Sequence, residues 1–484
     1  MAQQALGTGM SVPRRRAVFG LLDADGWAWA SVKAFVWLII IIFILGYLPD
    51  RAYYLTVGRT VDLGVLAWSP VNLCPPSNES LPCPAPAGSL VPWHQSPPEL
   101  SLPKARTDGV ILQVGTKILY IGGSDGTTAQ NDVYVARTVG SGNFDTWTDG
   151  PALPEARADA SVAYVAGSIY LMGGVDATGA PSSTVYMLTP DSTTGDLGAW
   201  KAASDALTLP EARSGASAVI TTDGLLLIGG RNASGPVTTT WKSILDTKGV
   251  LGKWSAEQPL AVAQADGTAV LVGNYVWLYG GSDANGPVGA VQRGAFGLAA
   301  AAGLPANPNA GKVIEWDVNN GANLPVARTN ASGWGSNGAI YLAGGDDGKG
   351  PKSEVYWAIP TATGNLTEWK HLAVSDLPAQ GLEGAAAVVT GPNTVLVGGA
   401  TVGGVLTSSA RANGAPQTPF FQLGLFGATV PGLKIDGEVG QQLGYLNAAG
   451  VGTVDFVVLL LIGWAFAHKE QARAMAGRVM RRRR

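Results

Sequence analysis

One phrase is written six times along the chain. An apolar run meets a glycine doublet and then a polar turn: "LYIGGSDG" from Leu119, "IYLMGGVDATG" from Ile169, "LLLIGGRNASG" from Leu225, "VWLYGGSDANG" from Val276, "IYLAGGDDGKG" from Ile340 and "VLVGGATVGG" from Val395. The doublets are Gly122 and Gly123, Gly173 and Gly174, Gly229 and Gly230, Gly280 and Gly281, Gly344 and Gly345, and Gly398 and Gly399, spaced by 51, 56, 51, 64 and 54 residues. A residue without Cβ at a strand end permits close strand packing and a sharp turn. The polar residues that follow, Asp125, Asp176, Asn232, Asp283 and Asp346, favour turns. They lie one per repeat and the sixth position is Ala400, so they read as turn residues and not as a calcium ring.

More of each unit recurs in phase. A second apolar strand follows the turn, in "NDVYVART" from Asn131, "STVYMLTP" from Ser183 and "SEVYWAIP" from Ser353. A glycine turn and a tryptophan come next, at Trp147, Trp200, Trp254, Trp316 and Trp369, and then "LPEAR" or a variant. With the strand that leads back to the next doublet, each unit has four strands. The last unit has no tryptophan downstream, but "VPWHQSPPELSLPKAR" supplies Trp93 and an LPxxR before the first doublet. The expected fold is therefore an all-β, six-bladed propeller, closed by an N-terminal strand that completes the last blade.

These residues resemble the kelch repeat, whose units carry a Gly-Gly doublet, a Tyr shortly after it and a Trp later. Tyr134, Tyr186 and Tyr356 with Trp147, Trp200 and Trp369 keep that order. The resemblance covers about residues 90–412 and implies a kelch-like β-propeller. The unit of Gly280 departs from it with the insertion "GLAAAAGLPANPNAG" before Trp316.

Two apolar runs flank the repeats. "AFVWLIIIIFILGYL" (Ala34 to Leu48) is uncharged, and with the aromatic residues before it approaches the ~20 residues that cross a bilayer. "VGTVDFVVLLLIGWAFAH" (Val451 to His468) holds Asp455, which is costly facing lipid and is expected at an interface or against another helix. The formal charge of −3 divides into +2 over residues 1–49, −10 over 50–450 and +5 over 451–484. Arg14 to Arg16 precede the first run and Arg481 to Arg484 end the chain, so both termini are expected inside and the middle outside. The acidic middle argues against nucleic acid. Cys74 and Cys83, close together in a Pro-rich stretch, are expected to form a disulfide in an exported segment.

The expected organisation is a basic cytoplasmic N-terminus (1–26), transmembrane helix 1 (27–48), a Pro-rich linker with the disulfide (49–87), the propeller (88–412), an apolar membrane-proximal connector (413–449), transmembrane helix 2 (450–468) and a basic cytoplasmic tail (469–484). In the connector, Phe420, Phe421, Leu423 and Phe426 form an apolar cluster that, with Asp455, is the candidate partner contact. A bilayer interface, another subunit and simple packing beneath the propeller all remain open for it.

No catalytic motif is present, and no cofactor or metal is expected. The histidines are three, His94, His371 and His468, and no cysteine lies inside the repeats. Arg106, Arg157, Arg213 and Arg328 each close an LPxxR. They read as bracing for loop carbonyls, with a basic ring for acidic ligands as the other reading. The expected function is a non-catalytic extracytoplasmic scaffold or accessory subunit of a bacterial membrane complex, with integral membrane subunits and lipid as partners. A cell-envelope carbohydrate-binding receptor and a glycan-active enzyme remain as alternatives.

Overall fold

The computed structural model describes residues 88–407 apart from 141–142, 299–306, 319–321, 362, 379–380 and 392, together with residue 37 and the backbone of 71–72, 409–412, 420–425 and 428–435. Two compact units divide the chain, Pro86–Gln417 on one side and Met1–Ala85 with Thr418–Arg484 on the other. Cys74, Cys83, Phe426, Asp455 and both apolar runs, Trp37 aside, lie outside the described residues. Among the described residues no helix is long and apolar enough to cross a membrane. In the smaller unit, Val71–Asn72 pairs with Phe420–Leu425, which pairs with Ala428–Ile435. Phe420, Phe421 and Leu423 thus lie in a strand that draws the expected linker and the expected connector into one sheet.

The larger unit is an all-β propeller. Five sheets have four strands, and a five-stranded sheet is built around Lys117–Ile121, the strand that leads into Gly122. In every sheet the strand before the doublet sits second from the inside. Ser168–Met172, Gly224–Ile228, Ala339–Ala343 and Asn393–Val397 are buried at all five positions. Their sequences run apolar without alternation because both faces of each sheet pack on neighbouring sheets. Val395 and Val397 pack with Ile118 and Tyr120, and Ile121 packs with Ile169 and Leu171. The innermost strands follow one another around a closed circuit: Val110–Val114, Ser161–Val165, Ser217–Thr221, Thr268–Val272, Ser332–Ser336, Ala386–Thr390 and back to Val110–Val114.

The glycine doublets are where adjacent sheets are stitched together. The first glycine of each has φ between +57° and +71° and the second between +81° and +93°. The second glycine donates its N–H to a carbonyl in the segment entering the next sheet: Gly123 to Arg157 (2.8 Å), Gly174 to Arg213 (2.8 Å), Gly230 to Gln264 (2.9 Å), Gly281 to Arg328 (2.6 Å) and Gly345 to Leu382 (2.7 Å). A Cβ on Gly173 would stand on the Arg213 carbonyl itself. Glycine is therefore required twice over, for the left-handed backbone and for the close approach.

Two features join the ends of the chain. Gly399 donates to the Arg106 carbonyl (2.8 Å), so the last doublet binds the entry segment of the first sheet. His94–Gln95 pairs antiparallel with Ser409–Ala412, His94 opposite Arg411 and Gln95 opposite Ala410, as the outer strand of the Gly398 sheet. Trp93, immediately before that strand, is buried and donates its indole N–H to the Ser375 carbonyl (2.9 Å).

The other tryptophans repeat that bond between sheets. Trp147 donates to Leu100 (3.0 Å), Trp254 to Leu207 (2.8 Å), Trp316 to Gln258 (3.0 Å) and Trp369 to Ala322 (2.8 Å). Leu100, Leu207 and Ser375 each end a one-turn 3-10 helix, whose last carbonyls have no partner within the helix. Trp200 occupies the corresponding place, and among the described residues its N–H has no partner.

Two glycines of similar backbone differ in their surroundings. Gly173 (φ +62°) has no room for a Cβ, whereas Gly179 (φ +82°) faces open space. Urea unfolding is expected to show a loss of about 1–2 kcal/mol for Gly179→Ala, the left-handed penalty alone, and about twice that or more for Gly173→Ala. Equal losses would show that the inter-sheet approach at Gly173 contributes nothing.

Candidate functional site

A cavity of about 830 Å³ opens where the innermost strands begin, on the side of the glycine doublets. Its rim is a collar that follows from the sequence just after each LPxxR-type segment. Two residues beyond Arg106, Arg157, Arg213, Gln264, Arg328 and Leu382 stand Asp108, Asp159, Gly215, Asp266, Asn330 and Gly384. All six have positive φ, between +50° and +62°. Glycine, asparagine and aspartate are the residues that enter this region at least cost.

The collar is joined head to tail by backbone hydrogen bonds. Asp266 N–H donates to Gly215 O (2.8 Å), Gly215 to Asp159 (3.0 Å), Asp159 to Asp108 (2.8 Å), Asp108 to Gly384 (2.8 Å) and Gly384 to Asn330 (2.8 Å). Each innermost strand therefore starts from a fixed point, and the side chains of Asp108, Asp159 and Asp266 are held at the cavity wall.

These three carboxylates differ in environment. Asp266 is paired with Arg231 and accepts a hydrogen bond from Ser282 Oγ (2.9 Å). Among the described residues Asp159 has no such ion pair. Burial first, and then the like charge of Asp108, push its carboxyl up to about 7, against weaker opposing effects of Arg231 and Ser214. Asp108 is also raised by burial, partly offset by the Thr107 hydroxyl. The Ser214 hydroxyl, buried at 1% exposure, stands beside the Asp159 carboxyl and favours its ionised form. Gly215, between Asp159 and Asp266, is a cradle: a Cβ there would run into oxygens of both carboxyl groups.

The residues singled out in the sequence lie elsewhere. Arg106, Arg157, Arg213 and Arg328 are at most 2% exposed. Arg106 pairs with Asp132. Arg157 binds Glu155 (2.9 Å), Arg213 binds Glu211 (2.7 Å) and the Gly229 carbonyl (2.8 Å), and Arg328 binds Glu354 (2.9 Å). They brace the repeats and form no open basic ring. Where arginine is missing, the Gln264 amide takes its place, donating to the Gly280 carbonyl. The turn residues accept bonds from their own loops: Thr127 N–H to Asp125 (2.9 Å), Thr178 to Asp176 (2.8 Å), Ser234 to Asn232 (2.8 Å), Asn285 to Asp283 (2.7 Å) and Gly348 to Asp346 (2.5 Å). Among the described residues no group of three or more acidic, histidine or cysteine side chains is placed to hold a metal ion.

The collar was not singled out in the sequence, although a signal was there. "ARTDG", "ARADA", "ARSGA", "AQADG", "ARTNA" and "GLEGA" carry Asp, Asn or Gly at one shared phase, and that set is the one that tolerates left-handed backbone.

The raised Asp159 carboxyl has a consequence for stability. The folded chain keeps that proton up to about pH 7, while an unfolded aspartate loses it near pH 3.9. Between those values the folded state holds more protons, so this group's contribution to stability falls as pH rises through the window and is flat above it. Urea midpoints measured from about pH 4 to about pH 8 should therefore fall more for the wild type than for Asp159→Asn. Parallel curves would contradict the assignment.

A protein-family model of the Kelch motif matches residues 156–194. Among solved structures the chain is similar to one described as "Structure of YjhT", at 17% identity, with 64% of this chain and 95% of that chain covered and a TM-score of 0.49. No curated protein matches the chain.

Proposed function

We propose that this Kelch-motif propeller is a protein-interaction scaffold, an accessory subunit of a bacterial membrane complex. The observation that carries this reading is the division of labour within the repeat. The doublets, tryptophans, arginines and turn residues are spent on joining the sheets, and the polar collar around an open cavity is left to meet a partner. A rigid disc with a wide mouth suits contact with another macromolecule better than enclosure of a small molecule. No aromatic side chain lines the cavity among the described residues, which favours this reading over a sugar-stacking receptor.

In this reading the five-stranded sheet of Gly122 counts as a sixth blade. Its support is that the doublet stitch and the inner-strand neighbours of that sheet match those of the other five. The runs at 27–48 and 450–468 are the membrane anchors, the basic flanks hold both termini in the cytoplasm, and Cys74 and Cys83 pair outside. Support for that topology is the charge distribution along the sequence. Lipid and integral membrane subunits contact the anchors and the 413–449 segment, with Phe420, Phe421, Leu423, Phe426 and Asp455 as the candidate contacts. The domain boundaries are those of the sequence reading.

Purification of the full-length protein from its native membrane in mild detergent, followed by mass spectrometry, is expected to yield at least one integral membrane protein at near-stoichiometric amount. A lone chain under conditions that preserve other complexes would overturn the scaffold reading.

A further inference from the structure

We propose that the face of the propeller opposite the collar rests on a lipid bilayer. The proposal rests on the reading of a membrane-anchored scaffold and names the face that the anchors bring to the membrane.

The doublets and the collar mark one end of the strands. At the other end the turns 115–116, 166–167 and 273–274 join inner strands to the strands that lead into the doublets. Apart from Val262, Val326 and Val402, every exposed large apolar side chain described in the propeller stands at that far end. Tyr164, Ile220 and Leu271 are each the fourth residue of a five-residue inner strand and stand along the inner edge of the face. Val139, Ile244, Val250, Leu298, Ile314 and Ile359 stand farther out, where the third strands end and turn back. Exposed apolar side chains scattered singly are ordinary, but their collection on one face marks a surface that meets a partner or a membrane.

The path of the chain selects the membrane. Ala412 pairs with Thr394, at the far end of Asn393–Val397, so the chain leaves the Gly398 sheet at this face. His94–Gln95 runs antiparallel to Ser409–Ala412 and is therefore entered from the same side. Upstream of it, the Ile359 side chain stands 3.5 Å from the place a Cβ of Gly88 would take. Beyond these two points the sequence continues to the apolar runs Ala34 to Leu48 and Val451 to His468. Both connections to the anchors thus depart from the face that carries the exposed apolar residues.

The chemistry of the face fits lipid. Its Val, Ile and Leu side chains come from several sheets whose inner strands all start from the hydrogen-bonded collar, so they are spread across the face at one level. A spread of this kind suits a fluid planar surface, into which apolar side chains sink at the boundary of headgroups and acyl chains. Exposed charges on the same hairpins are of both signs, Asp191, Asp196 and Asp246 with Lys248 and Lys312. A zwitterionic lipid is therefore sufficient, since attraction to an anionic one needs a basic cluster. With this face on the bilayer, the collar and its cavity open away from the membrane.

Full-length protein reconstituted into phosphatidylcholine vesicles tests the proposal. A cysteine is introduced by Val139→Cys, Ile244→Cys or Ile359→Cys and labelled with a nitrobenzoxadiazole dye, and the vesicles carry lipid with a nitroxide near the headgroup. The three positions belong to alternate sheets, so a face resting flat brings all three dyes to the nitroxide, and each is expected to lose most of its fluorescence. The dye at Val402→Cys, a position 84% exposed at the opposite end, is expected to keep its fluorescence. All four positions are exposed, so the variants are expected to fold. The unsubstituted protein, labelled in parallel, measures any signal from Cys74 and Cys83. Hairpin dyes that stay unquenched, whether water, a second copy or another subunit covers them, overturn the proposal, and so does equal quenching at Val402→Cys. The readings fail separately. Protein that floats with the vesicles while its hairpin dyes stay bright would keep the anchors and reject this face. Quenched hairpin dyes on a chain that copurifies with no partner would keep this face and reject the accessory subunit. Protein that does not float with the vesicles would overturn the anchors and this proposal together.

Discussion

The propeller depends on one hydrogen bond made repeatedly, from the second glycine of each doublet to a carbonyl of the next sheet's entry segment. β-Sheets that pack face to face are held by apolar layers, which fix distance but leave sliding and rotation weakly determined. A backbone bond of 2.6–2.9 Å at each junction removes that freedom. It requires two chains to approach with no Cβ between them, and that is what the glycines provide. The doublet is therefore as much a contact between repeats as a turn within one. The tryptophans hold the outer strands to the preceding sheet in the same way, through indole N–H donors on 3-10 carbonyls.

Closure follows from the same bond. Gly399 meets the Arg106 carbonyl, and Arg106 belongs to the segment that follows the outer strand His94–Gln95. The residues that complete the last sheet thus run directly into those that its doublet binds. Separating the ends would break the strand pairing, the Trp93 to Ser375 bond and the Gly399 stitch together, and expose two sheet edges. With the junctions fixed, each innermost strand begins from a left-handed residue at one height, and the hydrogen-bonded collar is the outcome. The buried arginines act behind it, with their guanidinium groups turned to carboxylates and carbonyls of the repeat and away from the cavity.

Much of this was legible in the sequence. The phase of the doublets, the alternation of apolar runs with turn residues, and the displaced Trp93 led to a propeller closed by an N-terminal strand, because backbone requirements at each position admit few residue types. The turn role of Asp125 or Asp283 was legible for the same reason. The LPxxR arginines were ambiguous, since a buried cation and an exposed one are spelled alike, and only the depth of burial and the placement of Glu155, Glu211 and Glu354 decide between them. The collar was hidden because its members vary among Asp, Asn and Gly. What they share is a dihedral angle, and charge gathers at three of the six positions only when the ring closes. The strand at Phe420–Leu425 was hidden by its apolar composition, which reads equally as a membrane-surface segment.

The second-glycine bond is the element that turns packed sheets into one rigid frame around the collar. Hydrogen exchange at the amides of Gly123, Gly174, Gly230, Gly281, Gly345 and Gly399 measures it directly. These amides are expected to exchange together, as slowly as those of the core strand Ile169–Met172, because they open only when the ring opens. Exchange at the rate of an exposed turn amide such as Gly126, or a slow group that omits Gly399, would contradict a ring stitched at every junction.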